Sequence, residues 1–136
     1  MGGFLYGTTS QGGDADAGTV FRLALVGGDA STVHVFAGGA SEPVPNGDGM
    51  APAGRLVLAN DGRLYGVTSN GGPNRSVHPD GDGTLFSVGA DGSYKVVYAF
   101  GANAGDGSHP VDAPVKARNG TLFGTTENGN THYTGT

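Results

Sequence analysis

The apolar residues of this chain fall in short runs that alternate with polar residues, and glycine-rich turns separate the runs. In the segment 18–25, for example, Val20 and Leu23 are apolar whereas Thr19 and Arg22 are polar. Apolar residues at a period of about two are typical of a strand with one buried face. No segment places apolar residues at helical spacing over three turns, so the pattern predicts an all-β protein.

One strand motif, Leu-aromatic-Gly, occurs three times. It occupies 5–10, 64–69 and 122–127, at offsets of 59 (64 minus 5) and 58 (122 minus 64). A second motif, Gly-Thr-aliphatic-Phe, occupies 18–21 and 83–86, and Gly135-Thr136 match its beginning. A near-constant spacing of this kind indicates tandem repeats.

Two further segments recur, so each full repeat contains four predicted strands. Residues 33–36 match 97–100, and residues 57–62 match 115–120. Asp-Gly and Asn-Gly flanked by apolar residues are strong hairpin signals. They predict that strands three and four of each repeat form a hairpin, and glycine-containing turns predict the same for strands one and two. The expected unit is a four-stranded antiparallel meander.

These matches divide the chain into two nearly complete repeats, 18–82 and 83–134, with a partial repeat at 1–17 and the start of another at 135–136. A four-stranded meander cannot bury both faces alone, and radial stacking of such blades gives a β-propeller. We therefore predict β-propeller-like blades, with a β-sandwich or β-solenoid as the alternative. Propellers use about four to eight blades. We expect self-association into a homo-oligomer or filament, or flanking repeats in a longer chain.

Aromatic residues recur with the repeat. The equivalent sets are Tyr6, Tyr65 and Phe123; Phe21 and Phe86; and Phe36 and Phe100. Because every blade needs the same packing, we predict that these rings form an inter-blade core rather than sugar-binding platforms. His34 is equivalent to Tyr98 and is predicted to be a partly buried packing residue.

Acidic residues gather in the loops in pairs spaced two apart, at Asp14 and Asp16 and at Asp80 and Asp82. Hard oxygen ligands on a glycine-rich turn can bind Ca²⁺, and Asp80-Gly81-Asp82 is the best candidate for a calcium site. The alternative is that these aspartates only form turns, since Asp and Gly are the residues that β-turns favour. No loop completes an EF-hand.

The loops that follow the fourth strand vary between repeats and are where binding differences would lie. Asn74, Arg75 and His78 in one loop, with His132 and Tyr133 in the next, are predicted to form one ligand-binding rim. No nucleophile and base pair is recognisable, so no catalytic residue and no enzymatic activity are predicted.

Charge and composition exclude several classes of partner. Seven basic and twelve acidic residues give a formal net charge of −5, without a basic cluster, so nucleic acid is not an expected partner. There is no cysteine, which excludes disulfides and thiolate metal sites. No signal peptide is recognisable, and no apolar run is long enough for a membrane span.

The motifs Leu-Tyr-Gly-Thr-Thr at 5–9 and Gly-Thr-Val-Phe at 18–21, with the Asp-Gly hairpin at 61–62, resemble the GloVer-type (choice-of-anchor) tandem-repeat family of bacterial surface proteins. The resemblance implies a secreted or cell-surface, propeller-like protein that acts as a non-enzymatic scaffold or binding module. Two alternatives remain, a glycan-binding lectin-like propeller and a fragment of a secreted propeller enzyme acting on polysaccharide.

Overall fold

A computed structural model describes residues 2–38, 47–74, 79–103 and 105–129 as strands and turns. The strands are β1 (Phe4–Thr9), β2 (Thr19–Ala24), β3 (Ala30–Val35), β4 (Met50–Leu58), β5 (Leu64–Asn70), β6 (Thr84–Val88), β7 (Tyr94–Ala99), β8 (Gly107–Pro110), β9 (Val115–Lys116), β10 (Leu122–Phe123) and β11 (Thr126–Gly129). All pairings are antiparallel. The described ranges contain no helix, so none that could cross a membrane, and the all-β prediction is confirmed for them.

The strands form three successive units. The first sheet has the order β1-β2-β3, and the central sheet has the order β4-β5-β6-β7. The last hairpin consists of β8 paired with β11 and β9 paired with β10. The predicted hairpins are confirmed, because β4 pairs with β5 and β6 pairs with β7.

The predicted four-stranded antiparallel meander is present in the central sheet, but the prediction that its four strands come from one sequence repeat was wrong. β3 and β4 belong to different sheets, whereas β5 pairs with β6 of the next repeat. The glycine-rich segment after β5 closes that hairpin, since the Gly71 amide donates to the Asp80 carbonyl oxygen (2.7 Å) and the Gly83 amide to the Gly71 oxygen (3.1 Å). The central sheet therefore combines strands three and four of one repeat with strands one and two of the next.

The last hairpin repeats the shape of β4 and β5. The register between β4 and β5 shifts between Ala53 and Val57. The last hairpin is interrupted at the equivalent place, between Pro110 and Val115. Extra residues in one strand bend it and increase its twist, so we expect the same distortion at the same point of both hairpins.

The core lies between the first sheet and the central sheet. Phe36, which follows β3, and Phe86 in β6 are fully buried, with ring centroids 5.3 Å apart. Tyr94 packs edge-on against Phe36 at 5.7 Å. The other buried apolar residues of this core are Ala17, Val20, Leu64 and Val88. The predicted role of recurring aromatic residues in the core is confirmed for Phe36 and Phe86.

Candidate functional site

The acidic pair at Asp14 and Asp16 lies in an exposed turn. Asp16 has a positive φ of 51°. Its carboxylate accepts a hydrogen bond from the Gly12 amide at 2.7 Å, and its own amide donates to the Gly13 oxygen at 3.1 Å. Asp16 therefore closes its own turn, as aspartate commonly does.

The second acidic pair is divided between two environments. Asp80 is exposed, whereas Asp82 is fully buried. In the described part of the chain, no three His, Asp or Glu side chains are grouped so that they could hold a metal ion. Calcium binding stays a prediction.

The predicted ligand-binding rim can be examined at one residue. The Asn74 side-chain amide donates to the carbonyl oxygens of Ala99 and Phe100, at 3.2 Å and 2.9 Å. It thus ties the loop after β5 to the end of β7. Arg75, His78, His132 and Tyr133 lie outside the described residues, so the rim stays a prediction.

The joint between successive units occurs twice with the same atoms. The Ala51 amide in β4 donates to the Ala17 oxygen at 2.9 Å, and the His109 amide in β8 donates to the Asp82 oxygen at 2.8 Å. Ala51 and His109 both have positive φ, 53° and 59°. Each of these two residues precedes a proline, and that proline lies beside the glycine that precedes β2 or β6. The chain therefore connects its units by one recurring geometry.

Beside each joint, an aspartate contacts an aromatic side chain of β3 or β7. His34 Nε2 lies 2.9 Å from Asp48 Oδ2, and the Tyr98 hydroxyl donates to Asp106 Oδ2 at 2.8 Å. The hydrogen bond to Asp106 raises the pKa of Tyr98 above its ordinary value. His34 also stacks on Tyr94, with ring centroids 3.7 Å apart. This confirms the prediction that His34 is a packing residue.

The Tyr94 side chain is more deeply buried than that of Tyr98. Its hydroxyl donates to the backbone oxygen of Asp48. Burial, with a smaller contribution from the Asp48 charge, raises the pKa of Tyr94 far above its ordinary value. The phenol therefore stays protonated and keeps the Asp48 turn attached to β7.

The glycine of the Leu-aromatic-Gly motif lies beneath an aromatic ring in two sheets. A methyl group added at Gly7 would lie 2.6 Å from Cζ of Phe21, and one at Gly66 would lie 2.6 Å from Cζ of Phe86. At the third copy, Gly124, no described atom lies within 4 Å of such a methyl group. We call Gly7, Gly66 and Gly124 the seat glycines. Because no atom of the described residues lies above Gly124, we call its seat open.

The open seat lines a cleft of about 200 Å³ between the central sheet and the last hairpin. The central sheet contributes Val67 and Leu85, and Phe100 follows β7. The last hairpin contributes Leu122 and Thr126 beside Gly124. The equivalents of Leu85 and Phe100 in the first repeat are Val20 and Phe36, which are fully buried in the core. The cleft is therefore the incompletely filled counterpart of that core.

Apolar side chains are exposed on the outer faces of the first and last units. Leu5 in β1 is 56% exposed, although its equivalent Leu64 in the central sheet is 6% exposed. Phe123 is 62% exposed and its cross-strand partner Val115 is 61% exposed. In the central sheet the equivalent positions face a neighbouring unit. In the first and last units they have no neighbouring unit among the described residues.

Sequence reasoning missed the seat glycines, although a signal was present. Gly7, Gly66 and Gly124 occupy the same position of a strand motif, and glycine inside a strand often marks a close approach of another group. The motif revealed the repeat, but not which group lies above the glycine.

Comparison with known proteins identifies the repeat. A family model described as the Gloeobacter/Verrucomicrobia repeat matches residues 1–136. Searches of curated proteins and of solved structures found no match. With its motifs, its recurring joint and a family match over its whole length, the chain belongs to the Gloeobacter/Verrucomicrobia repeat family.

Proposed function

We propose that this chain is a non-enzymatic repeat scaffold or binding module, extracellular or on the cell surface, whose sheets stack in series on further copies of the same unit. Other chains would supply those copies by self-association, or flanking repeats would supply them within a larger propeller. The observation that carries the proposal is the joint that occurs twice, from Ala51 to Ala17 and from His109 to Asp82. A joint that repeats can be extended by adding units.

The exposed outer faces support this stacking because they match a contact already made inside the chain. Tyr65 of the central sheet and Leu122 of the last hairpin line one cleft between two units. Phe123 is the equivalent of Tyr65, and Leu5 is the equivalent of Leu122. Phe123 of one copy would thus meet Leu5 of the next. Contacts between different surface patches produce rings or filaments.

The proposed surface location rests on the resemblance of the motifs to repeats of bacterial surface proteins. Protease treatment of intact cells of the source bacterium tests it. We expect externally added protease to remove the protein while a cytoplasmic marker survives. If the protein survives protease on intact cells and is degraded only after the cells are lysed, an external location is contradicted.

Sedimentation velocity over a range of protein concentrations, with and without calcium, tests stacking between chains. We expect concentration-dependent association. We expect Leu5→Lys and Phe123→Lys each to weaken it at least tenfold, because each places a charge in an apolar contact. Val26→Lys is the matched control, since Val26 is 91% exposed in the turn between β2 and β3.

A monomer at every concentration would overturn stacking between chains. Equal weakening by all three lysine variants would overturn the assignment of the outer faces. A change in association on adding calcium that is lost in Asp80→Asn would support the predicted calcium site at Asp80-Gly81-Asp82, and no change would count against it.

A further inference from the structure

We infer that the cleft at Gly124 is a docking site for a two-stranded segment of the β2–β3 type from another copy of this repeat, with its Gly-Thr-aliphatic-Phe phenylalanine over Gly124. The inference deepens the proposed function and rests on flanking repeats as the source of the segment, because β2 and β6 of another chain already pair with β1 and β5. It adds the specific site and the chemistry of its occupant.

The two filled seats show what the occupant must be. Phe21 is directly opposite Gly7 in the pairing of β1 with β2, and Phe86 is directly opposite Gly66 in the pairing of β5 with β6. In both sheets the ring belongs to the Gly-Thr-aliphatic-Phe motif. A strand pairing with β10 and β11 in the same register would place its phenylalanine opposite Gly124.

The threonines beside the seats fix that register. Thr9 Oγ1 lies 2.9 Å from Thr19 Oγ1 and accepts the Thr19 amide at 3.1 Å. Thr68 and Thr84 repeat this arrangement at 2.8 Å and 3.1 Å. Thr126 is the equivalent of Thr9 and Thr68, and it is 8% exposed beside the cleft. Its hydroxyl donates to the Asn128 oxygen at 3.1 Å, as that of Thr9 donates to the Gln11 oxygen at 2.8 Å, so Thr126 has the same local arrangement as Thr9.

The cleft has the size and lining that a phenyl ring requires. Its volume is about 200 Å³, and an apolar cavity of about 150 Å³ is enough to bind benzene. Phe100 is positioned to contact the incoming ring, because its equivalent Phe36 packs against Phe86 with centroids 5.3 Å apart. The backbone of Gly124 does not have positive φ, so its conformation does not require glycine. An aromatic ring docked above Gly124 would require glycine there.

A chain extended by a copy of residues 85–103 after Thr136 tests the inference. The spacing is suitable because Thr126 and Thr136 are ten residues apart (136 minus 126), as are Thr9 and Thr19 (19 minus 9). We expect the melting temperature to rise by roughly 5–10 °C. We also expect amide exchange in β10 and β11 to slow at least tenfold.

Two variants of the extended chain are controls. An appended copy carrying Phe86→Ala should lose most of the gain. Gly124→Ala should also remove it, although the same substitution in the unextended chain should leave the melting temperature unchanged. An extended chain that melts at the original temperature would overturn the inference, as would a gain that survives Gly124→Ala.

This result is separable from the test of stacking between chains. The appended segment acts within one molecule, so its effect does not depend on protein concentration. A monomeric chain whose extended form is stabilised through Gly124 would support the cleft and overturn assembly between chains. An associating chain whose extended form is not stabilised would give the reverse result.

Discussion

Glycine is required at the third position of the Leu-aromatic-Gly strand by the ring opposite it. At Gly66 an added methyl group would lie 2.6 Å from Phe86 Cζ and 2.7 Å from Leu56 Cδ2. Both neighbours belong to the packed core, where an inserted carbon has little room. The glycine thus reports on packing across the sheet rather than on the turn that precedes it.

We predict that Gly66→Ala lowers the free energy of unfolding by about 1–3 kcal/mol, because it overpacks the core. Gly124→Ala should change it by less than about 1 kcal/mol, since alanine in open space mainly restricts the unfolded chain. Urea denaturation of the two variants measures the difference. Similar losses in both would contradict the assignment of Gly66 as filled and Gly124 as open.

The sequence predicted local features of the site better than long-range ones. The packing role of His34 follows from its equivalence to Tyr98, and Phe36 and Phe86 follow from recurrence. The open seat at Gly124 depends on which strand lies opposite it. That pairing is a tertiary property, which residue types along one strand do not specify.

At the scale of elements, the strained residues at the joints distinguish β4 and β8 from ordinary strands. Ala51 and His109 have positive φ, which costs a residue other than glycine about 1–2 kcal/mol. The hydrogen bonds to Ala17 and Asp82 offset part of this cost. Because the same conformation appears at both joints, it belongs to the geometry that carries the chain from one unit to the next.

We predict that Ala51→Gly leaves the free energy of unfolding unchanged or raises it by up to about 1 kcal/mol, because relief of strain exceeds the added entropy of the unfolded chain. Ala53→Gly in the same strand is the matched control. Ala53 does not have positive φ, so its replacement should lower stability by about 0.5–1 kcal/mol. Equal losses measured by thermal unfolding would contradict the strain at Ala51.

Hairpins were predictable from the sequence, whereas the choice of partner between hairpins was not. The turn at Asp61-Gly62 specifies the pairing of β4 with β5 through local backbone preference. Two loops of 10 or more residues join β3 to β4 and β5 to β6. How these loops are closed decides whether β3 pairs with β4 and whether β5 pairs with β6. The hydrogen bonds of Gly71 and Gly83 that close one of them are visible only in the folded chain.

For the whole molecule, the partly buried phenol of Tyr94 links stability to alkaline pH. Its hydroxyl holds Asp48 to the central sheet, and His34 stacks on its ring. The pKa of Tyr94 is raised in the folded state, so above pH 10 the unfolded chain releases the proton first. Deprotonation therefore favours unfolding, and the stability that is present below pH 10 is lost as pH rises.

We predict that the free energy of unfolding falls above pH 10 with a contribution from Tyr94 of up to about 1.4 kcal/mol per pH unit. Tyr94→Phe should remove that part of the slope. Tyr98→Phe should change it less, because the Tyr98 side chain is exposed. Urea titrations at pH 8 and pH 11 measure the slope, and an unchanged slope in Tyr94→Phe would contradict the link.

The offset between the sequence repeat and the sheet has a consequence for how the molecule comes apart. The repeat at 18–82 places two strands in the first sheet and two in the central sheet. Removing this repeat would therefore break backbone hydrogen bonds between strands in both sheets. Neighbouring repeats are thus coupled by shared backbone pairing as well as by side-chain contact. Unfolding should spread across neighbours as one cooperative event instead of fraying one repeat at a time.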